Sequence, residues 1–187
     1  MIARARGVLP EKGRGIPPIR MRRLGGILVG LVLLTTGCAT GRIVGDMYRD
    51  SVHGFQVRLP PSPWHPMSLE GAAVAFASPA LEAGMAFRAD CCAPEAGDLS
   101  SVSRHLFFGL QGTEVQSHET FSLHGTTAME TRVRARLNDR PVDVDGVTFR
   151  RAGCLYDFMY VAPPAAFQQG RPDFEAFVQS WTPIEGP

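Results

Sequence analysis

The stretch from Thr126 to Arg151 constrains the fold more than any other part of the chain. Two runs that alternate apolar and polar residues, 126–137 and 141–151, flank Asn138-Asp139. Alternation of this kind marks a half-buried strand, and Asn and Asp are turn formers. If these two residues make a hairpin loop, register follows by counting. Arg134 faces Asp143 and Arg132 faces Asp145, while Val133 sits opposite Val144 on the other face, toward the core. Opposite charges across strands contribute roughly 0.2–1 kcal/mol per pair. The charge pattern and the apolar pattern agree on one register.

Further strands are legible on both sides. Phe55 to Leu59 alternates and is stopped by Pro60, Pro61 and Pro63, with Trp64 in the Pro-rich turn. Pro cannot donate to a ladder, so a strand ends there. Ala73 to Ser78 and Gly84 to Cys91 are the next two expected strands. After 113–123 a turn at His124-Gly125 leads into 126–137. Ala152-Gly153 leads into 154–162. Two helices are expected. Asp98 or Ser100 caps the first, which runs to about Gln111 with Leu99, Val102, Leu106 and Leu110 as its buried stripe. The second spans Arg171 to Trp181. Pro172 fits its first turn, and Phe174, Phe177, Val178 and Trp181 form its apolar stripe. The expected architecture is α+β, an antiparallel meander packed between helices as an α/β/α sandwich.

The N-terminal region reads differently. Arg22 and Arg23 precede thirteen uncharged residues, Leu24 to Thr36, and then Gly37-Cys38. A basic start, an apolar run and small residues before a cut site make an export signal. The run is shorter than the roughly 20 residues that cross a bilayer as a helix. Thr35-Thr36-Gly37-Cys38 resembles the lipobox of bacterial lipoproteins, with Thr35 where leucine is usual and Leu34 one place back. The resemblance implies cleavage before Cys38 and acylation of that cysteine, so residues 1–37 are signal. Residues 38–47 are then a lipidated tether. Ala39, rather than Asp, resembles outer-membrane sorting. A plain signal cut near Thr40 or Gly41 is the alternative. Residues 1–20 lack apolar periodicity, and Met21 is the expected initiator unless they form a long n-region. Arg22-Arg23 lacks the wider twin-arginine export motif.

Removal of residues 1–37 changes the charge. Twelve Arg then stand against seventeen Asp and Glu, a net charge of −5, and the only lysine, Lys12, is lost. An acidic chain is not a basic nucleic-acid binder. The remaining length supports one domain with a real core. With Cys38 lipidated, Cys91, Cys92 and Cys154 enter an oxidising compartment. Vicinal residues point to opposite faces of a strand, so only one of Cys91 and Cys92 can pair with Cys154. Free buried thiols are the other structural option. No Cys-x-x-Cys spacing supports a redox or metal site.

Catalytic patterns are missing from the sequence. His53, His65, His105, His118 and His124 are scattered, without a zinc-binding spacing. Ser51 with His53, or Ser103 with His105, lies two apart and does not share a helix face. There is no Gly-x-Ser-x-Gly elbow. Tyr156, Phe158 and Tyr160 share one strand face, while Asp157 and Met159 share the other. A buried Asp157 would need a partner, with Arg150 or Arg151 the candidates. The Pro163-Pro164 loop could line a groove.

Gly54-Phe55-Gln56-Val57-Arg58-Leu59-Pro60 with Trp64, then Gly153-Cys154-Leu155-Tyr156-Asp157-Phe158, then Phe174 to Trp181 follow one another in an order that resembles the PsbP-like fold. The resemblance covers about residues 48–183 and implies an antiparallel sheet between helices. It carries no catalytic residues. The expected function is a non-enzymatic envelope lipoprotein, held to the membrane by its lipid, that binds a protein partner or assists an assembly. No cofactor, metal or nucleic acid is expected. A small-ligand or lipid-binding module serving a transporter is the alternative, marked by a deep apolar pocket of about 300 Å³ or more between sheet and helix.

Overall fold

The computed structural model describes residues 41–92 and 97–184. Cys38 and the signal region lie outside the described residues. The elements are β1 (Arg42–Val44), β2 (Met47–Asp50), β3 (Phe55–Arg58), β4 (His65–Met67), β5 (Val74–Ser78), β6 (Ala83–Asp90), α1 (Leu99–Ser103) running into a 3-10 turn (Arg104–Phe107), β7 (Gln111–Leu123), β8 (Thr126–Leu137), β9 (Arg140–Arg151), β10 (Cys154–Ala162), α2 (Pro164–Gln179) and β11 (Thr182–Pro183). Strand pairing begins at Arg42, inside the stretch expected to be tether. Among the described residues no helix is long and apolar enough to cross a membrane.

Two sheets form, rather than one. The larger has the order β4-β5-β6-β10-β9-β8-β7, and the smaller β1-β2-β3-β11. On its inner face the large sheet carries Phe87, Phe149, Tyr156, Phe158 and Tyr160, all buried. The small sheet covers part of that face, with Phe55 meeting Tyr156 at 5.0 Å between ring centres. Helix α2 covers the rest through Phe167, Phe174, Phe177 and Val178. Among the described residues the helix on the outer face is the short α1 segment. The expected sandwich between helices is met in part: α1 and α2 lie on opposite faces of the large sheet, but a small sheet shares one layer with α2 and the opposite layer is thin.

The central hairpin forms as counted, with Arg132↔Asp145, Val133↔Val144 and Arg134↔Asp143 paired. Its loop residues Asn138 and Asp139 have φ of 50° and 63°, the left-handed values that a two-residue hairpin loop requires. Both faces of this hairpin are covered. Val133 and Val144 join Phe107, Ala135 and Val142 in a small cluster under α1. Asp145 lies on the face beneath α2.

Both helices differ from expectation. The α-helical part of α1 ends at Ser103, and the 3-10 turn ends at Phe107. Its most buried residues are Ser103 and Phe107, whereas Leu99, Val102, Leu106 and Leu110 are only half-buried. Gly109 at φ 88° then turns the chain into β7. Helix α2 starts at Pro164, seven residues before Arg171, so Pro163-Pro164 is a helix start and not a loop. Pro suits a first turn because its missing N–H would have no partner there. Pro172 instead sits inside the helix and forgoes the bond to the carbonyl four residues back. Buried aromatics on both sides of it, Phe167 and Phe174, hold α2 on the sheet.

Candidate functional site

The outer face of the large sheet holds an open concave surface. The segment that builds it is fixed at its start. Asp98 caps α1, accepting from the Ser101 N–H at 2.7 Å, and this hydrogen bond holds its carboxyl below the usual range. The buried Ser103 hydroxyl donates to the Ser100 carbonyl at 3.0 Å. On the sheet side, Gly146 clears the seat. A Cβ there would stand 2.9 Å from Leu106 Cδ1 and 3.1 Å from Phe107 Cζ.

With Phe107 turned in, its neighbour Phe108 is turned out, and it is 86% exposed. Between the 3-10 turn and strands β7 and β8 lies an open groove of about 670 Å³. Phe107, Phe108, Leu110, Val115 and Val133 form its apolar walls, with Arg104, His118 and Thr131 among its polar groups. The His118 ring sits against the Thr131 hydroxyl at 2.8 Å. Strand β7, which borders the groove, is the edge of the sheet, and its register shifts twice, between Gln111 and Glu114 and between Val115 and Ser117. Such irregularities blunt an edge against indiscriminate pairing. Sequence reasoning missed this groove because it read one regular helix through Gln111. The legible signal was Phe107-Phe108-Gly109, where a glycine stops the helix beside two aromatics.

On the other side of α1, Met67, Leu69, Met159 and Val161 line a smaller apolar depression of about 180 Å³. Asp157 lies nearby, half-buried. Burial raises its carboxyl above the ordinary value, against the Thr148 hydrogen bond and the charges of Arg88 and Arg150. Its hydrogen-bond partner is Thr148 Oγ1 at 2.9 Å, the residue opposite it on β9. Arg151, one of the two expected partners, instead reaches the His124 carbonyl and lies over the Trp181 ring.

A second cluster lies beneath α2. Arg132 contacts Asp145 at 3.3 Å and Glu130 at 3.1 Å. Arg171 contacts Asp145 at 3.4 Å, Glu130 at 3.4 Å and Glu175 at 2.7 Å. The Asp145 side chain is 0% exposed. Burial, then the charge of Glu130, pushes its carboxyl up to about 7. Burial also opposes ionisation of Glu130, but the hydrogen bond with Asp145 and the two guanidiniums outweigh it and hold this carboxyl below the usual range. Below about pH 7 the pair therefore favours a proton on Asp145 with Glu130 ionised. In this network the sequence pairs only Arg132 with Asp145; Glu130, Glu175 and Arg171 were not revealed, the last because α2 was read as starting there.

Cys91 and Cys154 are bonded, with Cα atoms 4.0 Å apart. Asp90↔Leu155 is the last ladder pair between β6 and β10, so the bridge closes the next position. Alternation places Cys91 on the inner face with Phe87 and Ala89. The Cys92 N–H donates to the Asp90 carboxylate at 3.0 Å. The histidines remain dispersed, and among the described residues no group of three His, Cys, Asp or Glu could hold a metal ion.

No protein-family model matches the chain, and no curated protein matches it in sequence. Solved structures match its fold. The solution structure of cyanobacterial PsbP (CyanoP) from Synechocystis sp. PCC 6803 has a TM-score of 0.57 at 14% identity, covering 80% of this chain and 95% of that one. LpqN, involved in cell envelope biogenesis of Mycobacterium tuberculosis, has a TM-score of 0.51 at 12% identity, covering 70% and 83%. A protein of unknown function from Pseudomonas aeruginosa has a TM-score of 0.50 at 17% identity, covering 70% and 92%. The chain has a PsbP-like fold, mostly antiparallel sheet with two α-helices among the described residues.

Proposed function

We propose that this protein is a non-enzymatic lipoprotein of the cell envelope that binds a protein partner through the groove beside α1. The carrying observation is the open apolar groove of about 670 Å³ with Phe108 86% exposed at its lip. Apolar patches of this kind mark interaction sites, and aromatic side chains are enriched in protein interfaces. A small-molecule site would bury most of its ligand, whereas this one is open along its length. The envelope assignment rests on the signal-like segment before Cys38, and LpqN supports it as a fold neighbour involved in cell envelope biogenesis. Lipid on Cys38 anchors the protein, and Ala39 favours the outer membrane, with the domain facing the periplasm.

Crosslinking and pull-down from native membranes test the partner. Wild type captures a reproducible partner, and Phe108→Ser loses it. Equal capture by both proteins removes the groove from the reading, and no capture by either counts against a partner. Cys38→Ser followed by membrane fractionation tests the anchor. A variant that still pellets in the same mature form refutes lipidation.

The groove volume also favours a second reading, a carrier of a small apolar ligand or lipid, since such pockets span roughly 300–1,000 Å³. Native mass spectrometry of the purified protein decides between them. A co-purifying lipid that Val133→Trp expels supports the carrier.

A further inference from the structure

We propose that the outward face of the small sheet lies against an anionic phospholipid surface, with Arg42 and Arg49 as its principal contacts; this rests on the Cys38 anchor. The ladder pairs Arg42 directly with Arg49 and Val44 with Met47. The next strand brings Gln56 beside Arg49 and Arg58 beside Met47. One face therefore presents three arginines with Val44 and Met47. Tyr48, Phe55 and Val57, on the opposite face, are buried in the core.

Like charges directly opposite one another destabilise a strand pair. Among the described residues neither Arg42 nor Arg49 has an ion-pair partner, and both are exposed. Arg58 is partly matched by Asp46 in the β1–β2 turn, at 3.5 Å. The face thus carries two uncompensated positive charges on a domain whose net charge after residue 37 is −5. Val44, 50% exposed, adds apolar surface beside them. A basic patch with interspersed apolar groups is complementary to anionic headgroups.

Chain length places that face at the membrane. A hydrogen bond to Gly41 ties the buried Tyr48 to the first of the described residues, and a methyl group on Gly41 would collide with the Tyr48 ring. Two residues, Ala39 and Thr40, separate Cys38 from Gly41, and the three chain steps span at most about 11 Å. That upper bound exceeds the Debye length of about 8 Å at physiological salt by only about a third, and Arg42 follows Gly41 directly in the chain, so the tether keeps this face near the headgroups. Each arginine near an anionic surface strengthens the contact about fivefold.

The test uses the mature lipidated protein in vesicles of phosphatidylcholine with 30% phosphatidylglycerol, and in pure phosphatidylcholine. An arginine-selective dicarbonyl reagent is read out by mass spectrometry. Arg140, 82% exposed on the β8–β9 hairpin, is the internal control. Relative to Arg140, Arg42 and Arg49 are modified at least fivefold more slowly on the anionic vesicles only, and about 1 M salt abolishes the difference. In Arg42→Glu/Arg49→Glu, Arg58 reverts to its rate on phosphatidylcholine. Equal rates on both vesicles overturn the proposal. So does protection found only in native membranes, which assigns the face to an acidic protein. Flotation of the same samples reads the anchor separately: a protein that does not float with vesicles refutes lipidation, whereas one that floats with unprotected arginines refutes only this orientation.

Discussion

Substitution of Asp145 by Asn gives the sharpest test of the charge network beneath α2. The Asp145 side chain is fully buried between two arginines and Glu130, and its carboxyl is pushed up to about 7 from 3.8, first by burial and then by the Glu130 charge. An unfolded Asp titrates near 4. Between about pH 4 and 7 the folded chain therefore holds a proton that the unfolded chain has released. The stability tied to this proton is complete below about pH 4 and is lost as pH rises through 7. The slope reaches about 1.4 kcal/mol per pH unit, and three units give an upper bound on the order of 4 kcal/mol. Glu130 runs the other way. Its folded value is depressed, so its contribution is present above about pH 4.5 and lost as pH falls. Between pH 5 and 8 the slope of the pair thus belongs to Asp145. Asn keeps the shape and cannot ionise. Urea unfolding at pH 5, 6, 7 and 8 gives the comparison. Near pH 4 the variant matches wild type, at pH 5 it is already ahead by about 1 kcal/mol, and by pH 8 it is the more stable protein by up to a few kcal/mol. A wild type minus variant difference that stays constant from pH 5 to 8 refutes the assignment. Arg171→Met serves as the control in the opposite sense. It strips a cation from Asp145, Glu130 and Glu175 and costs on the order of 3–5 kcal/mol.

Gly170→Ala sets a Cβ 2.6 Å from the Tyr160 hydroxyl, which donates to the Phe167 carbonyl at 3.0 Å. Overpacking against this buried ring costs about 1–3 kcal/mol, read as a lower urea midpoint. Cys91→Ser opens a covalent loop with a sequence separation of 63, and chain entropy sets the loss at about 4 kcal/mol. Dithiothreitol lowers the wild-type midpoint by at least this much. Phe108→Ser leaves stability within about 0.5 kcal/mol, because an exposed side chain holds nothing in the fold. A larger drop places Phe108 in the core and contradicts its reading as an interaction residue.

The limits of the sequence are visible in three places. The meander was legible because alternation, turn residues and cross-strand charge all pointed to one register, and β8 and β10 formed with the expected bounds. Strands β1, β4 and β11 were not, since two or three residues carry no measurable period and their pairing is decided by tertiary contact. Helix α2 was misread at its start because proline is both a loop former and a first-turn residue. The buried strip from Phe167 to Phe174 that decides between them only acquires meaning against the sheet. The third place concerns the site. Counting put Arg132 opposite Asp145 and assigned the opposite face of the hairpin to the core, as if the charged face were solvent. In a sheet covered on both sides, alternation separates two environments without saying which is wet. That ambiguity buried Asp145 under α2, and it left Phe108 outside on the thinly covered face. The residues that broke the simple pattern are the ones that give this fold its titrating group and its open groove.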